Sequence, residues 1–193
     1  MNLEIEIKLK VDALEPIRAR LAECGGELAS HVLETNHIFD RADRSLLNAD
    51  QGLRVRATSS RQAPTSRSAT LTFKGPRQAG DFKTRPELEV TLGDAQTTCA
   101  ILEALGYECV IRFEKRRETW RLEPCNVELD ELPNLGTFVE IEGPDQDAVE
   151  RARTTLGLAA VQVEPSTYIA LLVDDAHKHG RSPREIRFAE RAL

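Results

Sequence analysis

The feature that most constrains this chain is a strict alternation of charged and apolar residues, repeated in segment after segment. LEIEIKLKV (3–11) sets Glu4, Glu6, Lys8 and Lys10 against Ile5, Ile7 and Leu9. Residues two apart in a strand share a face, so such a segment settles most readily as a strand with one ionic and one apolar side. GLRVRAT (52–58), ATLTFK (69–74), PELEVTL (86–92), ECVIRFEKRRETWRLE (108–123), NVELDEL (126–132) and TFVEIEG (137–143) carry the same pattern. The long segment 108–123 predicts two strands or one bent one, and SHVLETNHIFD (30–40) is a less regular candidate. Helical spacing marks 12–25, 94–106, 145–157 and 165–176. The first three open on an Asp placed to cap the helix and close on a Gly. RADRSLLNADQG (41–52) predicts a short helical turn.

With 193 residues, 40% of them apolar and 30% charged, the chain has enough material for one domain with its own core. That domain is expected over 1–175, leaving 176–193 as a C-terminal tail that is either frayed or a docking helix. SSRQAPTSRS (59–68) and GPRQAGDFKT (75–84) read as mobile connections. No apolar run is long enough to span a bilayer, and MNLEIEIK lacks the apolar stretch of a signal peptide. The expectation is a cytoplasmic protein with no membrane partner. The four cysteines have neither paired nor zinc-site spacing and read as reduced thiols. A net charge of −6 argues against general nucleic-acid binding.

One motif recurs. A strand bearing E-x-E runs into a helix that ends in Gly from Glu4 to Gly25, from Glu87 to Gly106 and from Glu140 to Gly157. Alternation adds Arg54 with Arg56, Lys74, Arg85 with Glu87 and Glu89, Lys115 with Arg117 and Arg121, and Glu128 with Asp130. Taken one strand at a time, a solvated sheet face accounts for such charges. Two features go further. Nearly every polar position is ionised, and like charges cluster. Carboxylates two apart on a strand lie about 6.6 Å apart at the backbone, and at an effective dielectric of about 20 they repel by roughly 2–2.5 kcal/mol. Open water screens that repulsion, whereas a confined site does not. Paired acids beside Arg and Lys suit a polyanion accompanied by divalent cations, with carboxylates on the metal and Arg and Lys on the phosphates. A closed barrel with the charges inward would accommodate the whole set.

Taken in order, EIEIK (4–8), LRVR (53–56), TFKGP (72–76), TRPELEV (84–90), EKRRE (114–118) and LDELPNLGTFVEIEG (129–143) resemble the CYTH superfamily, the triphosphate tunnel metalloenzymes. The resemblance spans roughly 3–173. It implies an α+β fold: a closed eight-stranded antiparallel β-barrel, or tunnel, with helices packed outside. It implies Mg²⁺ or Mn²⁺ held by Glu4, Glu6, Glu140 and Glu142, with Glu87, Glu89 and Asp130 as further ligands. It implies phosphate binding by Lys8, Arg54, Arg56, Lys74, Arg85, Lys115 and Arg117. Glu4, Glu6, Lys8 and Lys115 are the residues expected to carry the chemistry. Lys10, Arg121 and Glu128 come from alternation alone. Family members often pair as dimers, so the resemblance allows a homodimer.

The family includes class IV adenylate cyclases, thiamine triphosphatases and inorganic triphosphatases, and the layout most resembles the cyclases. The expected ligand is accordingly ATP, thiamine triphosphate or inorganic triphosphate. Conversion of ATP to cAMP and pyrophosphate is the leading reaction, and hydrolysis of a terminal phosphate is the alternative. A non-catalytic polyphosphate binder and a structural β-protein are the remaining readings. No general base stands out. His31 and His37 read as structural, His177 and His179 as solvated, and Trp120, Tyr168, Leu171 and Leu172 as core.

Overall fold

A computed structural model describes residues 2–60, 67–77 and 83–189. The expected loops at 59–68 and 75–84 lie partly outside these residues. The elements run β1 (Asn2–Val11), α1 (Glu15–Glu23), β2 (Glu27–Asp40), α2 (Ser45–Asn48), β3 (Gly52–Ser60), β4 (Arg67–Lys74), β5 (Lys83–Leu92), α3 (Ala95–Ala104), β6 (Glu108–Leu122), β7 (Cys125–Leu132), β8 (Gly136–Glu142), α4 (Gln146–Thr155), α5 (Tyr168–Lys178) and β9 (Glu185–Ile186). The alternating segments are all strands. Segment 108–123 is a single strand, and the less regular 30–40 lies within the long β2.

Asp94 and Asp145 cap α3 and α4, accepting hydrogen bonds from the backbone N–H groups of Thr97 and Ala148. Asp12 does not cap α1. That helix starts later, after Leu14, because Pro16 occupies its first turn, where a missing N–H costs nothing. Gly106 and Gly157, just past the ends of α3 and α4, have φ of 85° and 73°, a conformation that ends a helix at little cost only for glycine.

The strands form one sheet in the order β2-β3-β4-β5-β1-β8-β7-β6. Here β6 also pairs back to β2, and the short β9 runs parallel to β6. The three strands that carry E-x-E, β5, β1 and β8, are therefore neighbours. The expected closed eight-stranded tunnel is corrected by this structure. Although β2 and β6 share a long ladder, the antiparallel sheet curls into a half-barrel that is open, with its edges 8 Å apart. The wall is stepped at β1, which pairs with β5 over Asn2–Glu6 and with β8 over Glu6–Val11, so its two ladders share only Glu6. On this account the concave face is a trough.

Apolar residues of the convex face form two cores. Ile7, Leu9, Val127, Leu129, Val139 and Ile141 pack under α1 and α4 with Trp120. Phe39 and Val55 pack under Leu102 of α3. A third core breaks the expectation that every helix lies outside. Tyr168 and Leu172 of α5 pack with Phe113, Leu132 and Phe138. Those three share strand parity with Lys115, Asp130 and Glu140, so α5 covers one end of the concave face. Ile186 of β9 joins this core, which ties part of the expected tail to the sheet. No helix among the described residues is long and apolar enough to cross a membrane.

Candidate functional site

Sheet register builds the site. Across neighbouring strands, Arg56 lies opposite Asn36, Glu34 opposite Lys115, Arg117 opposite Asp130, Glu128 opposite Glu140, and Glu140 opposite Lys8. One charged strip thus crosses six strands. Within it three acids, Glu34, Asp130 and Glu140, and three bases, Lys8, Lys115 and Arg117, are each less than 9% exposed. Fully buried ions are rare unless paired, and these are densely paired.

Asp130 is the hub, with no exposed surface. Arg117 grips it with a two-pronged fork, Nε to Oδ1 at 2.7 Å and Nη2 to Oδ2 at 2.6 Å. Lys115 Nζ donates to Oδ2 at 3.2 Å, and the Tyr168 hydroxyl donates to the same oxygen at 2.8 Å. Arg117 Nη2 also donates to Glu140 Oε2 at 2.6 Å, and its Nη1 meets Glu128. Lys8 Nζ lies 3.4 Å from Glu140 Oε1 and donates to the Ser166 carbonyl at 3.0 Å. Its ammonium is 3.9 Å from the centre of the Tyr168 ring, with Lys115 Nζ 5.2 Å from the same ring. The segment before α5 makes this contact. Glu164 N–H donates to the Lys8 carbonyl at 2.7 Å and Thr167 caps α5, so Tyr168 is fixed over both lysines.

At the β2–β3 side, Arg56 Nη1 pairs with Glu34 at 3.0 Å and Nε donates to Asn36 at 2.9 Å. Lys115 reaches Glu34 at 3.4 Å. Arg54 Nη2 donates to Thr72 Oγ1 at 3.2 Å, and Thr72 in turn donates to Glu89 at 2.7 Å. The remaining expected residues lie further along. Lys74 pairs with Glu87 at 2.8 Å. Arg85 donates to the backbone carbonyls of Gly75 and Asp50, both at 2.8 Å, which ties two loops together. Glu6 and Glu142 face each other across the β1–β8 ladder and are half-buried. The Glu4 backbone pairs with Arg85, while its side chain lies outside the described residues. Lys10 and Arg121 are exposed.

The electrostatics follow from this packing. Burial alone would raise the Glu34 carboxyl, but Lys115, Arg56, Arg117 and Arg54 outweigh it and hold that group well below the usual carboxylate range. Burial dominates at Arg54, reinforced by Arg56, and brings the guanidinium down to about 10. At Arg117 the penalty of burial is outweighed by Asp130, Glu128 and Glu34, so its charge is locked on. Burial, with Asp130 and Glu140 nearby, raises Tyr168 well above its ordinary value. Tyr168 is thus a standing O–H donor.

Sequence reasoning passed over Glu34, Asn36 and Tyr168. Glu34 and Asn36 do alternate, but Ile38 continues their face with an apolar residue and hides the pattern. Tyr168 sits at core spacing and is in a core, with only its hydroxyl in the site. Among the described residues, the acids that converge closely enough to hold a cation are Glu128, Asp130 and Glu140, each offering a carboxylate oxygen within 4.8 Å of the others. An all-oxygen carboxylate set suits a hard divalent ion. Asp130 and Glu140 were expected there, whereas Glu128 was expected only to share their face. Glu87 and Glu89 are engaged with Lys74, and with Thr72 and Arg54.

The chain matches the CYTH domain family over residues 2–168. It is 26% identical over 183 residues to the protein named adenylate cyclase CyaB of Aeromonas hydrophila, covering 88% of each chain. It is 28% identical over 149 residues to a Methanocaldococcus jannaschii protein named "Putative adenylate cyclase MJ0240", covering 77% of this chain and 81% of that one. Among solved structures, the PH1819 protein of Pyrococcus horikoshii OT3 superposes with a TM-score of 0.75 at 28% identity, covering 89% of this chain and 98% of that one.

Proposed function

Because the chain belongs to the CYTH domain family, we propose that it is a divalent-metal-dependent enzyme that holds a triphosphate in the trough and cyclises ATP to cAMP and pyrophosphate. The observation that carries this reading is the buried strip, in which three acids and three bases are withdrawn from water on one face. Burying six ions costs several kcal/mol per ion before pairing offsets it. A ligand that brings both an anion chain and its counter-cation uses both halves of that strip. Two donors in the same trough, Asn36 Nδ2 and Arg54 Nε, are buried without an acceptor among the described residues, and phosphate oxygens would satisfy them.

In this reading Lys8, Arg54, Arg56, Lys115 and Arg117 bind phosphate oxygens and fix the register of the chain along the trough. Lys74 and Arg85 extend that surface. Glu128, Asp130 and Glu140 hold Mg²⁺ or Mn²⁺, with Glu6 and Glu142 beside them and Glu4, Glu87 and Glu89 further out. When bound, such an ion neutralises phosphate charge and polarises a phosphoryl oxygen. Transfers of this kind need mainly charge stabilisation and alignment. A ribose 3′-hydroxyl aligned on the α-phosphorus forms the new O–P bond as pyrophosphate leaves and the hydroxyl proton is lost. Two relatives carrying the adenylate cyclase name, matched over most of their length, support that register.

The test is a product-resolved assay with ATP, thiamine triphosphate and inorganic triphosphate, each with Mg²⁺ or Mn²⁺. Formation of cAMP with pyrophosphate is expected. Orthophosphate without cAMP would replace the cyclase with a triphosphatase. No product from any of the three would remove the enzymatic reading.

A further inference from the structure

Arg117 touches every member of the acid group. Its Nε and Nη2 hold both oxygens of Asp130, Nη2 also holds Glu140, and Nη1 meets Glu128. Those are the three carboxylates that converge within 4.8 Å. Asp130 has no free surface, and its Oδ2 accepts from Lys115 and Tyr168 as well. The guanidinium therefore occupies ground that a dication bound by all three carboxylates would need.

We propose that Arg117 is an internal counter-cation that competes with the divalent metal for Glu128, Asp130 and Glu140, and that the phosphate chain draws it away, so that metal and anion enter as a coupled pair. This rests on the reading that the trough takes a metal-bound triphosphate. The buried strip is balanced, with three positive and three negative groups. A dication alone would leave surplus positive charge beside Arg117, and an anion alone would leave surplus negative charge beside the acids. Transfer of the guanidinium from carboxylate to phosphate relieves both at once. The planar fork makes the exchange feasible, because it fits either oxyanion in the same two-pronged geometry. Coupling between two ligands is reciprocal. Whatever factor the anion adds to metal affinity, the metal adds to anion affinity.

The test measures Mn²⁺ binding to the full chain by electron paramagnetic resonance, with no phosphate present. Wild type is compared with Arg117→Gln and with Arg56→Gln. Arg56 bonds Glu34 and Asn36 and none of the three acids, so its loss removes the same charge without freeing them. Arg117→Gln is expected to tighten Mn²⁺ binding roughly tenfold, within the range common for coupled sites. Arg56→Gln is expected to change it by less than about threefold. Equal tightening in both variants overturns the proposal in favour of a general charge effect. Wild-type affinity equal to that of Arg117→Gln also overturns it. If Arg117→Gln does not fold, Arg117→Lys keeps the charge and loses the fork. A gain in Mn²⁺ affinity is expected there too, and wild-type affinity overturns the proposal. None of these readouts needs turnover, so a chain that converts no triphosphate loses the enzymatic reading and leaves this result standing.

Discussion

Replacing Asp130 by alanine is the perturbation on which the ionic strip makes its sharpest demand. The carboxylate accepts four hydrogen bonds, two from Arg117 and one each from Lys115 and Tyr168, with no exposed surface. Removing one partner of a buried ion pair destabilises a protein by about 3–5 kcal/mol. The stranded Tyr168 hydroxyl adds about 1–3 kcal/mol. Three contacts act the other way, since Arg117 keeps Glu140 and Glu128 and Lys115 keeps Glu34. The net expectation is therefore a loss of about 3–5 kcal/mol, at and just below the lower end of the summed range. For a chain of this size that lowers Tm by roughly 6–20 °C. Urea unfolding at pH 7, with scanning calorimetry alongside, measures both quantities. Asp130→Asn, which keeps the shape and two acceptor lone pairs, should lose less. An Asp130→Ala protein within about 1 kcal/mol of the parent would refute the reasoning, because the strip would then not be a mutually compensating set.

Three further outcomes follow from the same geometry. Tyr168→Phe keeps the ring over Lys8 and loses only the bond to Asp130, so urea unfolding should show a cost of no more than about 1.5–3 kcal/mol; Tyr168→Leu, which also removes the ring, should in addition weaken tripolyphosphate binding in calorimetric titration. Glu34 is held below its ordinary value of 4.5, so the stability it contributes is fully present above about pH 4.5 and is lost as pH falls below it; Glu34→Gln should accordingly be less stable than wild type at pH 7, with the gap closing in acid when urea midpoints are followed against pH. Glu6→Ala and Glu142→Ala remove half-buried carboxylates that face each other across the β1–β8 ladder, so each should lose most turnover, at least about tenfold, while circular dichroism shows the fold intact.

What the sequence made legible was the two-sidedness of each strand. Alternation alone assigned Glu6, Lys8, Arg54, Arg56, Lys115, Arg117, Asp130, Glu140 and Glu142 to a single ionic face, and the recurring E-x-E marked three strands that turn out to be neighbours. How the wall closes was not legible. Closure depends on strand stagger and register, and the step at Glu6 is a property of two ladders meeting on β1, which no single strand encodes. Glu34 and Asn36 were hidden for a related reason. Register shifts near Ser30 and Phe39 and the apolar Ile38 interrupt the alternation of β2. Tyr168 was seen as a core residue and is one, but its hydroxyl enters the site only because the segment before α5 is bonded to Lys8. Pro16 shows the same limit at small scale, because it moves the start of α1 past the Asp that spacing selected.

The account stands on the trough gripping a metal-bound phosphate chain, and phosphorus-31 resonance of inorganic tripolyphosphate mixed with the protein and Mg²⁺ tests that most directly. The prediction is saturable shifts or broadening of the phosphate resonances at a one-to-one ratio, lost on adding a chelator and weakened in Lys8→Met. Resonances that keep their free positions at every protein concentration, with Mg²⁺ present, would contradict it.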